Sequence, residues 1–70
     1  MEPILDKNGK QIKVKLLGAD GNAFSILGLC DRAMKKAGID KDIRDDFFVE
    51  ATAGNYDNLL QTAMKYFDVE

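Results

Sequence analysis

Apolar and polar residues alternate along one early stretch of the chain, and apolar residues recur every three or four positions in three later stretches. In residues 11–17 the alternating apolar positions are Ile12, Val14 and Leu16, which predicts a half-buried strand. The later periodicity predicts three helices. Their expected ranges are 23–37, 41–52 and 56–67. We therefore expect an α+β fold that is mainly α-helical, with one N-terminal strand or short hairpin followed by three helices.

The predicted strand needs a partner, because an isolated strand leaves its backbone hydrogen-bonding groups unpaired. Asn8-Gly9 is the strongest two-residue signal for a hairpin, since both turn residues must adopt positive φ. Such a turn would make residues 3–7 the first strand and would set Leu5 opposite Ile12. This hairpin is the first of three alternatives for the pairing.

Two features oppose that hairpin. Pro3 opens the short first strand, and Lys7 would face Lys10 beside the turn, where like charges repel. In the second alternative, residues 1–10 are a loose lead-in and the strand pairs with another copy of the chain. In the third, it pairs with the tail, residues 67–70.

The ends of the helices are marked by residues that cap or terminate them. Asn22 and Asn55 each follow a glycine and precede a long apolar stripe, so both are predicted N-caps, and Asp40 is predicted to cap the second helix. Gly38 is expected to end the first helix in left-handed geometry, and Gly54 to end the second. The segment 18–21 is expected to be a turn.

The helical stripes predict which side chains form the core. The stripe of the first helix is Ala23, Ile26, Leu27, Cys30, Ala33, Met34 and Ala37, that of the second is Ile43, Phe47 and Ala51, and that of the third is Tyr56, Leu59, Leu60, Ala63, Met64 and Phe67. Phe24 and Leu29 lie off the first stripe, so the first half of that helix is apolar on nearly all sides. Such a helix is either central or covered by something outside the monomer.

A candidate interface follows from the apolar residues that the stripes leave over. Phe48 widens the second stripe and Tyr66 falls off the third, so with Phe24 and Leu29 they are expected to form exposed apolar surface. Packing at the rim within the monomer is the alternative. Gly28 costs about 1 kcal/mol in a helix interior relative to alanine. One reason to keep it is the close approach of another backbone.

Size and composition predict one small globular domain over residues 1–70. A chain of 70 residues buries only about 60% of its unfolded surface, so its stability is marginal without good packing or a partner. Its 46% hydrophobic and 31% charged residues argue against disorder. No apolar run approaches the roughly 20 residues of a membrane span. With a single cysteine and no signal-peptide pattern, we expect a cytoplasmic protein.

Candidate chemistry is sparse. The chain has no histidine, which removes the commonest general base and transition-metal ligand. Cys30 lies on the core stripe, where a thiol is an inert apolar group. A calcium loop counted from Asp40 would need glycine and glutamate where Asp45 and Ala51 stand. We therefore expect no catalytic residue, no metal and no cofactor, and a protein that is not an enzyme.

The charges are distributed unevenly. Residues 1–36 carry a net charge of +3 and residues 37–70 a net charge of −5, which sum to the −2 of the whole chain. The lysines suggest a basic patch that could bind nucleic acid. Its members are Lys13, Lys15, Lys35 and Lys36. The pI of about 5.0 and the absence of aromatic residues among these lysines make nucleic acid the weaker prediction.

Three segments form a recognisable pattern: Gly21-Asn22-Ala23-Phe24-Ser25-Ile26-Leu27-Gly28, Ala33 with Ala37-Gly38, and Glu50-Ala51-Thr52-Ala53-Gly54-Asn55-Tyr56-Asp57-Asn58-Leu59-Leu60. By this pattern the chain resembles a family of small uncharacterised proteins from bacteria and their phages. The resemblance spans residues 14–70. It implies no activity and transfers no functional residue.

These observations lead to two functional expectations. The first is a small cytoplasmic protein-interaction module that associates with itself as a homodimer, because the core is small, the first helix is apolar on several sides and the strand lacks an assured partner. Its expected interface residues are Phe24, Gly28, Leu29, Phe48 and Tyr66, together with the edge of the strand. The alternative is a weak nucleic-acid-binding accessory protein that uses the four lysines.

Overall fold

The computed structural model describes residues 3–16, 18 and 21–70. The elements along the chain are β1 (Lys13–Val14), α1 (Ala23–Lys36), α2 (Lys41–Ala51), α3 (Tyr56–Tyr66) and β2 (Asp68–Val69). This confirms the expected fold class, a mainly α-helical α+β domain with three helices. The predicted strand end at Leu17, the turn positions Ala19 and Asp20, and the first two residues lie outside the described residues.

The strand pairs with the C-terminal tail, which was the third alternative. β1 and β2 form a two-stranded parallel sheet with Lys13 opposite Asp68. The backbone N–H of Asp68 donates to the carbonyl oxygen of Ile12 at 2.9 Å, and that of Leu16 donates to Glu70 at 2.8 Å. Parallel strands need a long crossover, and here the three helices supply it.

The turn at Asn8-Gly9 forms, but its register differs from the predicted one. Leu5 bridges Gln11 in antiparallel fashion rather than Ile12. Gly9 has a φ of +77°, whereas no described non-glycine residue has a positive φ, so Asn8 does not adopt the geometry of a two-residue hairpin.

The side chain of Asp6 explains the shift. Its carboxylate accepts hydrogen bonds from the backbone N–H groups of Asn8 at 2.9 Å and Lys10 at 3.0 Å. Aspartate commonly closes turns in this way. The loop therefore has three residues, and the expected full strand over residues 3–7 is reduced to a single bridge.

The helix ends follow the predicted capping residues. Asn22 accepts a hydrogen bond from the N–H of Phe24 at 2.8 Å, and Asn55 accepts one from Asn58 at 3.0 Å. Asp40 occupies the N-cap position of α2 without a side-chain capping bond among the described residues. Gly38, at a φ of +78°, ends α1 as a left-handed residue beyond a helix end should.

The core lies between the helices and the inner face of the sheet. Its fully or nearly buried apolar members are Ile4, Ile12, Val14, Ile26, Cys30, Met34, Phe47, Ala51, Leu59, Ala63, Tyr66 and Phe67. Phe47 lies edge-to-face against both Tyr66 and Phe67, with ring centroids 5.9 Å and 5.1 Å away. This aromatic cluster joins α2 to the end of α3.

Two predicted stripes need correction. Ile43, Tyr56 and Met64 were expected in the core but are 43%, 44% and 52% exposed. In α3 the predicted Leu59 and Ala63 are buried, together with Thr62 and Tyr66, which the predicted stripe left out. The buried stripe was not recognised in the sequence because it includes a polar residue, Thr62. Its hydroxyl is satisfied by donating to the carbonyl oxygen of Asn58 at 2.7 Å, so the residue can be buried.

Candidate interaction surface

Among the described residues, the most exposed large apolar side chain belongs to the first turn of α1. Phe24 is 84% exposed, and on α2 Phe48 is 53% and Val49 67% exposed. Phe24 is held there because it directly follows the N-cap Asn22 at a position turned away from the buried Ile26. We call the surface formed by these three side chains and the groove beside them the α1–α2 face.

A groove of about 310 Å³ runs between α1 and α2. It is lined by Leu27, Gly28, Asp31, Met34, Arg44, Asp45, Phe47 and Phe48. No atom of the described residues lies within 4 Å of the position that a Cβ would take at Gly28. Gly28 therefore borders open space, and no backbone of the described residues packs closely against it.

Three charged residues line this groove, and two of them form ion pairs. Asp31 pairs with Lys35 at 3.1 Å, and Asp45 pairs with Lys41 at 3.0 Å. The Nε of Arg44 is buried without a hydrogen-bond partner among the residues that the structure describes. Most buried polar groups in proteins are paired, so this N–H group, which the described residues leave unpaired, is an exception beside the groove.

A second groove continues the first along α1. It has a volume of about 210 Å³ and is lined by Ala23, Leu27, Ala51, Thr52, Gly54, Asn55, Tyr56 and Leu59. Leu27 lines both grooves. One lining residue, Tyr56, is held in position by its hydroxyl, which donates to the carbonyl oxygen of Gly21 at 2.6 Å.

The structure brings together three of the five residues that the sequence suggested for an interface. Phe24 and Gly28 are one helical turn apart on α1 and so share a face, and Phe48 lines the groove with Gly28. Leu29 is half-buried and packs against the core. Tyr66 is only 7% exposed, so the expectation that it contributes exposed surface is wrong.

Tyr66 is buried because it has a polar partner on the neighbouring helix. Its hydroxyl donates to a carboxylate oxygen of Glu50 at 2.8 Å, and Lys65 pairs with the other carboxylate oxygen. Burial and the neighbouring Glu50 raise the pKa of Tyr66 to about 12. Hydrogen bonds from Lys65 and Tyr66 lower the pKa of Glu50. No local pattern in the sequence points to this cluster.

Two of the four lysines of the proposed basic patch line the same groove. Lys13 and Lys36 line a common groove of about 330 Å³ between β1 and the end of α1, with Lys10 beside them. Lys13 pairs with Glu70 at 3.8 Å. Lys15 and Lys35 do not line that groove.

Other chemical groups are few. The side chain of Cys30 is fully buried, and burial raises the pKa of its thiol to about 12. In the described part of the chain, no three Cys, Asp or Glu residues form a group that could hold a metal ion. None of the helices in that part is long and apolar enough to cross a membrane.

Comparison of the chain with protein-family models, with curated proteins and with solved structures found no match.

Proposed function

We propose that the chain is a small cytoplasmic protein-interaction module that associates with a second copy of itself through the α1–α2 face. The observation that carries the proposal is the 84% exposure of Phe24, one helical turn before Gly28, which lines the groove. Fully burying a phenylalanine side chain is favourable by about 1.5–3 kcal/mol. Contiguous exposed apolar surface rimmed by polar residues is typical of interaction sites.

A second copy is the partner that this surface suits best. The α1–α2 face contains both a protruding aromatic side chain and an open groove, so two copies related by a twofold axis can each fill the groove of the other. The described residues expose 4803 Å². A standard interface takes about 800 Å² from each partner, and that is a modest share of this surface.

Sedimentation velocity over a micromolar concentration series tests the proposal. We expect the wild-type chain to shift from monomer to dimer and Phe24→Ala to weaken the association at least tenfold, as truncation of a central aromatic anchor does. Met64→Ala is the matched control, because Met64 is 52% exposed but lies on α3. A wild-type chain that remains at 7.8 kDa throughout the series would refute self-association.

Nucleic-acid binding is the second candidate. It is supported by the groove that Lys10, Lys13 and Lys36 line together. If phosphates bind there, the affinity for single-stranded or duplex DNA should fall steeply with salt, because each contact releases counterions. Lys13→Gln/Lys36→Gln should then reduce both affinity and salt dependence. Absence of binding at low salt would end this candidate.

A further inference from the structure

The outward face of α1 is defined by four residues. Phe24, Gly28, Asp31 and Lys35 follow one another at spacings of four, three and four, which places them in one line along a helix. The first half of this line is apolar and the second half is charged. It lies beside the groove, since Gly28 and Asp31 also line that groove.

We propose that the two α1 helices of the dimer pack antiparallel, with Phe24 of each copy resting on Gly28 of the other and entering the groove beside it. This inference rests on the proposed self-association and specifies its geometry. In this geometry the groove of each copy binds the phenyl ring of Phe24 from the other copy.

The shape of the groove supports this occupant. The space above Gly28 is empty of described atoms to 4 Å. Leu27, Met34 and Phe47 provide apolar walls in a volume of about 310 Å³, which is at the low end of the range for small-molecule sites and suits a single aromatic ring. A glycine at the contact between the two α1 helices also permits them to approach closely.

The cation that lines the groove supports the same occupant. Arg44 is one of the lining residues, and a guanidinium group packs favourably on the face of an aromatic ring. The incoming ring of Phe24 would therefore meet both apolar walls and a cation. Arg44→Met, which keeps most of the apolar length, should weaken dimerisation several-fold.

Charge selects the antiparallel direction. With Phe24 opposite Gly28, Asp31 of one copy lies opposite Gly21 of the other, at the N-terminal end of α1. That end carries partial positive charge and has no acidic residue in its first turn. A symmetric parallel pairing would instead set the two Asp31 carboxylates against each other, where like charges repel.

The direction can be measured with a spin label at Lys35→Cys, which removes the ion pair with Asp31 but leaves Phe24 and the apolar lining of the groove in place. The midpoint of the pairing is residue 26, so the two labelled positions are eighteen residues apart along the helix axis, or about 27 Å at roughly 1.5 Å per residue. A parallel dimer would place them at about the interhelical distance of 8–10 Å. The wild-type chain is the labelling control, because Cys30 is fully buried.

The packing of Phe24 on Gly28 can be tested by filling the open space at Gly28 with a side chain. Gly28→Leu should raise the dissociation constant at least tenfold while leaving the helical circular dichroism unchanged, because a Cβ added at Gly28 meets no described atom within 4 Å and the rest of the side chain extends into the open groove. Gln61→Leu adds the same side chain at an exposed position of α3 and should leave dimerisation within twofold of the wild type.

The outcomes separate this inference from the proposed function. A wild-type chain that stays monomeric overturns both. A dimer with a short distance between labels, or one that Gly28→Leu leaves unaffected, overturns the packing geometry and leaves self-association standing. A long distance together with loss of affinity in Gly28→Leu supports both.

Discussion

The hydroxyl of Tyr56 donates a hydrogen bond to the carbonyl oxygen of Gly21 at 2.6 Å. Gly21 immediately precedes the N-cap of α1, and Tyr56 immediately follows Asn55, the N-cap of α3. The two Gly-Asn helix entries, which resemble each other in the sequence, are thus physically joined. This bond fixes the start of α1, and with it the position of Phe24 on the α1–α2 face.

Removal of this hydroxyl should loosen the start of α1. Tyr56→Phe keeps the ring and removes one hydrogen bond, so we expect the free energy of unfolding to fall by about 0.5–1.5 kcal/mol. Urea unfolding measures the loss, and faster hydrogen exchange at the backbone amide of Phe24, which donates to Asn22, locates it. Unchanged stability and exchange would show that the bond contributes nothing in solution.

The sequence predicted the features that depend on neighbouring residues. Asn22 and Asn55 cap their helices through amides two and three positions away, and Gly38 supplies positive φ at a helix end. The period of the apolar residues predicted three helices for the same reason. Each of these signals is contained within one or two turns of chain.

Features that depend on distant residues could not be predicted in the same way. Tyr66 can be buried because Glu50, sixteen residues earlier, accepts a hydrogen bond from its hydroxyl. The groove forms only where α1 and α2 pack against each other, and their relative position is not encoded locally. The sequence could therefore suggest Phe24, Gly28 and Phe48 individually, but it could not place Arg44 in the same groove. The register of the N-terminal turn was missed because the carboxylate of Asp6 competes with the Asn-Gly geometry.

The Glu50 cluster should make stability depend on pH. The pKa of Glu50 is lowered in the folded chain, so its contribution is present above the unfolded pKa of about 4.3 and is lost as pH falls through the folded value. Glu50→Gln should therefore be less stable than the wild type at pH 7, and the difference should shrink by pH 3. Urea unfolding at both values checks this.

An exposed acid provides the control for that experiment. Asp57→Asn removes a carboxylate from the exposed first turn of α3, where only a helix-dipole effect of about 0.3–1 kcal/mol is expected. If Glu50→Gln loses no more stability at pH 7 than Asp57→Asn does, the bonds from Lys65 and Tyr66 to Glu50 are not stabilising.

Gly28 should be replaceable without damage to the monomer. It has helical backbone geometry, and no described atom lies near its missing Cβ. Gly28→Ala should therefore raise the free energy of unfolding by up to about 1 kcal/mol. Gly38→Ala is the matched control and should destabilise the chain, because Gly38 has a φ of +78°. Denaturation at a concentration where the chain is monomeric checks both, and a loss of stability in Gly28→Ala would contradict the open space above it.

Pairing of the tail with β1 can be tested at Asp68, an exposed residue whose backbone N–H donates to the carbonyl oxygen of Ile12 at 2.9 Å. Asp68→Pro removes that donor and constrains φ, so we expect a loss of about 1–3 kcal/mol. Such a loss is large for a domain of this size, whose total stability is of the order of 0.05–0.15 kcal/mol per residue.

Asp68→Ala is the control, because it keeps the donor and should change stability by less than about 0.5 kcal/mol. Thermal unfolding compares the two variants. Equal stability would mean that the parallel sheet does not hold β1 in place, and that the strand remains available for pairing with another chain.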